Sequence, residues 1–130
     1  MERWFIAQAV TGEDINLLKQ ETQMIYSAIK SRGDEPYSSI LEKNVVKNEK
    51  PKIIQALEHV KERDNILSII RSNTKSIGLS IEVGYGKGIG KKIIVALKEG
   101  IENNYVPPLA NNLIVYKNIE ELCEEIKKIK

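Results

Sequence analysis

Between Lys75 and Lys92 the chain reads Lys-Ser-Ile-Gly-Leu-Ser-Ile-Glu-Val-Gly-Tyr-Gly-Lys-Gly-Ile-Gly-Lys-Lys, a stretch with one carboxylate, Glu82, among glycines. Gly78 lies four residues before Glu82 and Gly86 four after, so on a helix the acid has no i±4 salt-bridge partner. Such a carboxylate can attack, or stabilise, a carbon that develops positive charge, as at the anomeric carbon of a sugar. The ordinary reading of a helical glutamate is a solvated surface residue. What sets Glu82 apart is its place, just beyond the C-terminal end of an expected strand and flanked by small residues.

Other chemistry finds little support. The glycines do not make a Walker A loop, because Tyr85 stands five residues before Gly90-Lys91 and Lys92 replaces the required Ser or Thr. No G-x-G-x-x-G register fits either. His59, the only histidine, falls in the polar register of its helix and reads as solvated. Cys123 lies on an apolar helical face, where a small buried hydrophobe is the usual explanation. One Cys and one His offer no tetrahedral metal set, so neither metal nor cofactor is expected.

These residues need elements to position them. Trp4 to Val10 suits a buried strand, and Thr11-Gly12-Glu13-Asp14 a turn and helix start. Ile15, Leu18, Thr22, Ile25, Ala28 and Ile29 then recur at helical spacing, up to a glycine C-cap at Arg32-Gly33. A weaker strand is expected over Tyr37 to Leu41, and a loop over Glu42 to Glu49. Pro51 opens a second helix with Ile54, Leu57 and Val60 facing the core. Strands follow at Asn65 to Ile70, Ile93 to Leu97 and Leu113 to Tyr116. Lys98 to Asn112 is irregular, Pro107-Pro108 excluding helix, and Ile119, Leu122, Cys123, Ile126 and Ile129 mark a last amphipathic helix.

Strands that alternate with helices predict an α/β fold: a flavodoxin-like, doubly wound, five-stranded parallel sheet in the order 2-1-3-4-5, with helices on both faces. Ligands of such sheets bind at the switch point between the first and third strands, at their C-terminal ends. Gln8 to Glu13, Arg71 to Gly78 and the loop after the fourth strand should converge there. The glycines of the connection read as close-packing positions, against the sheet or another subunit.

The 130 residues suit one domain with one real core. Twenty Lys and Arg balance 18 Asp and Glu, interspersed along the chain, for a net charge of +2. That balance argues against a nucleic-acid polymer as partner. No apolar run approaches the roughly 20 residues of a membrane span, and Met1-Glu2-Arg3-Trp4 lacks a signal-peptide layout. A cytoplasmic protein is expected.

The run Ser76, Gly78, Glu82, Gly84, Tyr85 and Gly90-Lys91-Lys92, after a strand entered through Asp64, resembles the nucleoside 2-deoxyribosyltransferase-like family, which includes 2-deoxynucleoside 5-monophosphate N-glycosidases. The specific likeness covers Asp64 to Leu97; a looser one runs from Trp4 to the end. The resemblance implies a single such domain over residues 1–130, acting on a small nucleotide or nucleoside. Glu82 matches the family's nucleophile, which forms a glycosyl ester that water or a second base resolves. Ser76 matches the serine of the monophosphate hydrolases, where the transferases carry aspartate. Gly78, Gln8, Thr11, Gly12, Asp64 and Asn112 are the further substrate-binding candidates.

Two positions depart from that pattern. Ala56 stands where the family carries an aspartate that works on the leaving base. The first loop, Ala7-Gln8-Ala9-Val10-Thr11-Gly12, lacks the phosphate-binding arginine of the hydrolases, and Phe5 stands where the transferases have tyrosine. The rival reading is therefore a catalytically weak or inactive nucleotide- or metabolite-binding protein of the same fold. The resemblance also implies a homo-oligomer, Asn103 to Asn112 being the segment able to complete a neighbour's site.

Overall fold

The computed structural model describes residues 1–42 and 50–130. Five strands form one parallel sheet: β1 (Arg3–Gln8), β2 (Glu35–Tyr37), β3 (Asn65–Ile70), β4 (Lys92–Lys98) and β5 (Asn112–Tyr116), in the order β2-β1-β3-β4-β5. This is the flavodoxin-like order expected of the sequence. β3 is buried at all six positions, as a central strand covered on both faces must be.

Alternation along β3 sends its side chains into two cores. Leu67 and Ile69 meet Ile25, Ile29, Leu122 and Ile126, from α1 (Ile15–Ser31) and α4 (Ile119–Lys128). Ile66 and Ile70 meet Val60, Leu79 and Val83 on the other face, from α2 (Lys52–Lys61) and α3 (Ile77–Gly88). Three helices start on a side-chain cap: Asp14 accepts from Asn16 and Leu17 N–H, Ser76 from Leu79 N–H, and Asn118 from Glu121 N–H. Gly33, at φ +83, follows the last residue capping α1, as the sequence predicts.

The structure corrects several boundaries and faces. β1 ends at Gln8, because a turn begins where Glu13 N–H bonds the Val10 carbonyl. β2 covers Glu35–Tyr37, not Tyr37 to Leu41. Pro36 is accepted there because the strand is an edge, whereas Ser38 turns the chain, its carbonyl accepting from Leu41 and Glu42 N–H. The rest of the expected loop, 43–49, lies outside the described residues. Pro107-Pro108 does not exclude helix: it opens a 3₁₀ turn, Pro107–Leu109, whose first positions require no N–H donor.

The core-facing stripe of α2 also differs. Val60 faces the core as expected, but Ala56 packs there with it while Ile54 is exposed. His59 is half-buried rather than fully solvated; its ring stacks on Tyr37 with centroids 4.2 Å apart, and its Nδ1 lies 3.1 Å from Arg63 Nη1. No helix among the described residues is long and apolar enough to cross a membrane.

One polar clamp ties the two ends of the chain together. Asp34 accepts from Glu2 N–H at 2.9 Å, Trp4 Nε1 at 3.1 Å and Arg32 Nε at 3.1 Å. Arg32 in turn donates to the carbonyls of Ile126 and Ile129 at the end of α4. Burial works against the Asp34 charge, but these donors outweigh it and hold the carboxyl below its usual range. A carboxyl lowered on folding stabilises above its unfolded pKa, and that contribution is lost as pH falls through the folded value. Asp34→Asn should therefore lose stability at pH 7, on the order of 1–2 kcal/mol, and converge on the native protein in urea melts as the pH falls through the lowered carboxyl's range.

Candidate active site

At the switch point the connections leave β1 and β3 on opposite faces of the sheet, opening a crevice at their C-terminal ends. A cavity of about 470 Å³ lies there. The three segments expected to converge do so in its wall: Ala9 and Glu13 after β1, Arg71, Lys75 and Ser76 after β3, and Tyr105 after β4. Between these polar groups the wall is apolar, with Ile69, Ile70, Leu79 and Ile81. A second, more polar cleft of about 450 Å³ adjoins it and shares Lys75, Asn103 and Tyr105. Those three form the partition, the Lys75 ammonium standing 5.2 Å from the Tyr105 ring centroid.

Ser76 is both wall and cap. Its Oγ accepts from Leu79 N–H at 3.2 Å, and its carbonyl accepts from Ser80 N–H and Ser80 Oγ. The hydroxyl proton stays available to a ligand, beside first-turn N–H groups that have no carbonyl one turn earlier.

Glu82 occupies a different flank of α3. It is half-buried, and no hydrogen bond or ion pair joins it to any described residue. Burial pushes its carboxyl up to about 7. Gly86, one turn on, backs onto Ile66 and Val60, so this stripe faces the sheet and α2. One turn back, a Cβ at Gly78 would meet nothing within 4 Å, which leaves open room beside the acid. Glu82 is not part of the 470 Å³ cavity's wall, although the preceding residue, Ile81, is.

The other sequence candidates scatter. Gln8 ends β1, where Nε2 donates to Thr22 Oγ1 at 2.9 Å and Ser38 Oγ at 3.5 Å while Oε1 accepts from Arg71 Nη1 at 2.7 Å. With its amide committed on both ends, Gln8 holds Arg71 rather than facing the cavity. Thr11 and Gly12 form an exposed turn, Gly12 at φ +82, between wall residues Ala9 and Glu13. Asp64 precedes β3, at the far end of the strand, roughly 20 Å from the crevice by strand rise, and its Oδ2 accepts from Arg3 N–H at 2.8 Å. Asn112 is exposed at the start of β5, opposite Ile94, and also outside the wall. Ala56 is half-buried and packs against the α2–α3 core.

Arg71 is the residue the sequence reading passed over. Its signal was present: a cation immediately after a strand with no polar face, at the end that opens on the switch point. Its Nε donates to Glu21 Oε1 at 2.9 Å. Among the described residues no group of three His, Cys, Asp or Glu side chains is placed to hold a metal ion.

No protein-family model matches the sequence, and no curated protein does. Solved structures do match in fold. A CMP N-glycosidase of Clostridium botulinum superposes with a TM-score of 0.72 at 21% identity, over 98% of this chain and 100% of that one. A 2-deoxyribosyltransferase of Bacillus psychrosaccharolyticus gives 0.72 at 16%, over 98% and 92%. A conserved protein of Enterococcus faecalis V583 gives 0.71 at 17%, over 98% of each chain. The resemblance read from the sequence thus holds at the level of the fold.

A carboxyl raised on folding adds stability below its unfolded pKa, and the contribution is lost as pH rises through the folded value. Glu82→Gln should accordingly be more stable than the native protein at pH 8, by on the order of 1–3 kcal/mol, and equal to it near pH 4. Thermal melts at the two pH values check this, and a carbon-13 titration of the carboxyl should show a midpoint near 7.

Proposed function

We propose that the protein cleaves, or transfers across, the N-glycosidic bond of a nucleotide or nucleoside, with Glu82 as nucleophile. The observation that carries this reading is a half-buried carboxyl without a described partner, raised to about 7, beside open room at Gly78. The fold shared with an N-glycosidase and a deoxyribosyltransferase supports it.

In the reaction, a Glu82 oxygen bonds the anomeric carbon as the carbon–nitrogen bond breaks, its electron pair leaving with the base. Water then opens the glycosyl ester and restores the carboxylate; a second base in place of water gives transfer. Only ionised Glu82 can attack, so activity should rise with pH through about 7. Ala56 supplies no proton to the leaving base, and Ser76 and the start of α3 would bind the sugar-phosphate end. A cytoplasmic setting, where free nucleotides are found, completes the reading.

Two observations favour a ligand-binding protein without turnover instead: Glu82 is absent from the cavity wall, and Ala56 leaves the leaving group unassisted. Base release from a panel of deoxynucleotides, ribonucleotides including CMP, and nucleosides decides between them. Under the enzymatic reading Glu82→Gln loses roughly 10²-fold or more in rate; binding of a panel member with no base release supports the rival.

We also propose a homo-oligomer built on the outer face of α3. Ile77 is 78% exposed and Ile81 43%, and Cβ atoms added at Gly84 and Gly88 would meet nothing within 4 Å, so this helix is apolar on the side its own chain leaves open. The segment Asn103 to Asn112 is the one proposed to complete a neighbour's site. Ile81→Asp should convert the assembly to monomer in light scattering while the far-ultraviolet spectrum is retained; a native protein that is already monomeric and active refutes the assembly.

A further inference from the structure

We infer that Arg71 is the anion-binding residue of the cavity, and that its ligand is a phosphate group, free or esterified to a sugar. The inference shares with the proposed function the crevice at the switch point, and it concerns binding rather than bond cleavage.

A guanidinium carries five N–H donors in a planar fork. Glu21 Oε1 takes Nε and Gln8 Oε1 takes Nη1, while Nη2 is buried and finds no acceptor among the described residues. The side chain is only 10% exposed. A donor kept from water and given no partner is costly unless a ligand or ordered water completes it. The two bonds that are made fix the plane of the fork, since Gln8 is itself tied to Thr22 and Ser38. A fixed guanidinium in the wall of a cavity suits the paired oxygens of a phosphate better than a mobile lysine does.

The rest of the wall agrees. Lys75 and Ser76 line the same cavity, and Ser76 opens α3, whose N-terminus favours an anion. Among the described residues the Lys75 ammonium has no carboxylate partner, only the Tyr105 ring. Glu21 stands behind Arg71, outside the wall, so it offsets the charge without occupying the free edge. Arg71 thereby supplies, from the loop after β3, the cation that the loop after β1 lacks.

Titration calorimetry with ribose 5-phosphate, orthophosphate and ribose tests this. The native protein should bind ribose 5-phosphate, with orthophosphate weaker and ribose weaker still. Arg71→Lys, which keeps the charge but loses the fork, should bind both phosphates at least tenfold less tightly. Glu21→Gln, which leaves Arg71 in place and removes the opposing charge, should bind them severalfold more tightly. Native-like phosphate affinity in Arg71→Lys, ribose binding as tight as ribose 5-phosphate, or no tightening in Glu21→Gln overturns the inference. If Arg71→Lys fails to fold, Glu21→Gln decides alone. Glu82-dependent base release from nucleosides by a protein that binds no phosphate defeats this inference and spares the proposed function; phosphate binding dependent on Arg71 without base release does the reverse.

Discussion

The arrangement at the site follows from a constraint on β3, a strand with no side chain in water. Such a strand needs cover on both faces, and that forces α1 and α4 to one side and α2 and α3 to the other. Right-handed crossovers to opposite faces must then diverge somewhere, and they diverge between β1 and β3. A crevice at that place is a consequence of topology rather than of any one residue. What the sequence adds is which side chains stand at its rim: the apolar run stops at Ile70, and Arg71 is the first residue free to be polar.

α3 shows the competing demands on the other side of the crevice. Four of its residues are glycine, each less favourable in a helix than alanine by roughly 0.8–1.0 kcal/mol. Packing within the chain explains one of them: a Cβ at Gly86 would lie 1.9 Å from Ile66 Cδ1. Gly78, Gly84 and Gly88 have room for a side chain. A helix weakened for no gain inside its own chain is consistent with the contacts proposed above, a ligand near Gly78 and a second chain along the outer face. The same scarcity of side chains leaves Glu82 without a neighbour to pair with.

How much of this was legible depended on whether a signal was local. Four of the strands and the switch point were, because Ile93 to Leu97 is apolar without interruption and Asn65 to Ile70 is broken only by Asn65 and Ser68, and Ser76 was, because it is a cap whose effect is confined to one turn. β2 was not, since an edge strand of three residues around Pro36 has no period to detect. Neither was the first part of the α2 stripe, where Ala56 packs into the core beside Val60 and Ile54 is left exposed. Asp64 and Gln8 looked available because their partners, Arg3 and Arg71, lie 61 and 63 residues away along the chain. A polar residue's commitments are tertiary, and type alone does not reveal them.

Those commitments also keep the cation of the cavity wall apart from the proposed nucleophile. Were Arg71 to reach Glu82, the ion pair would pull the carboxyl down and occupy the oxygens proposed to attack. Instead Glu21 and Gln8 hold the guanidinium at the end of β1, on the α1 side. Glu82 sits a turn and a half into α3, facing α2, where only burial acts on it. The start of α3 lies between them, Ser76 toward the cavity and Gly78 toward the acid. A ligand spanning that turn would place an anionic end and an electrophilic carbon on different groups, and each group keeps its chemistry because the helix keeps them apart.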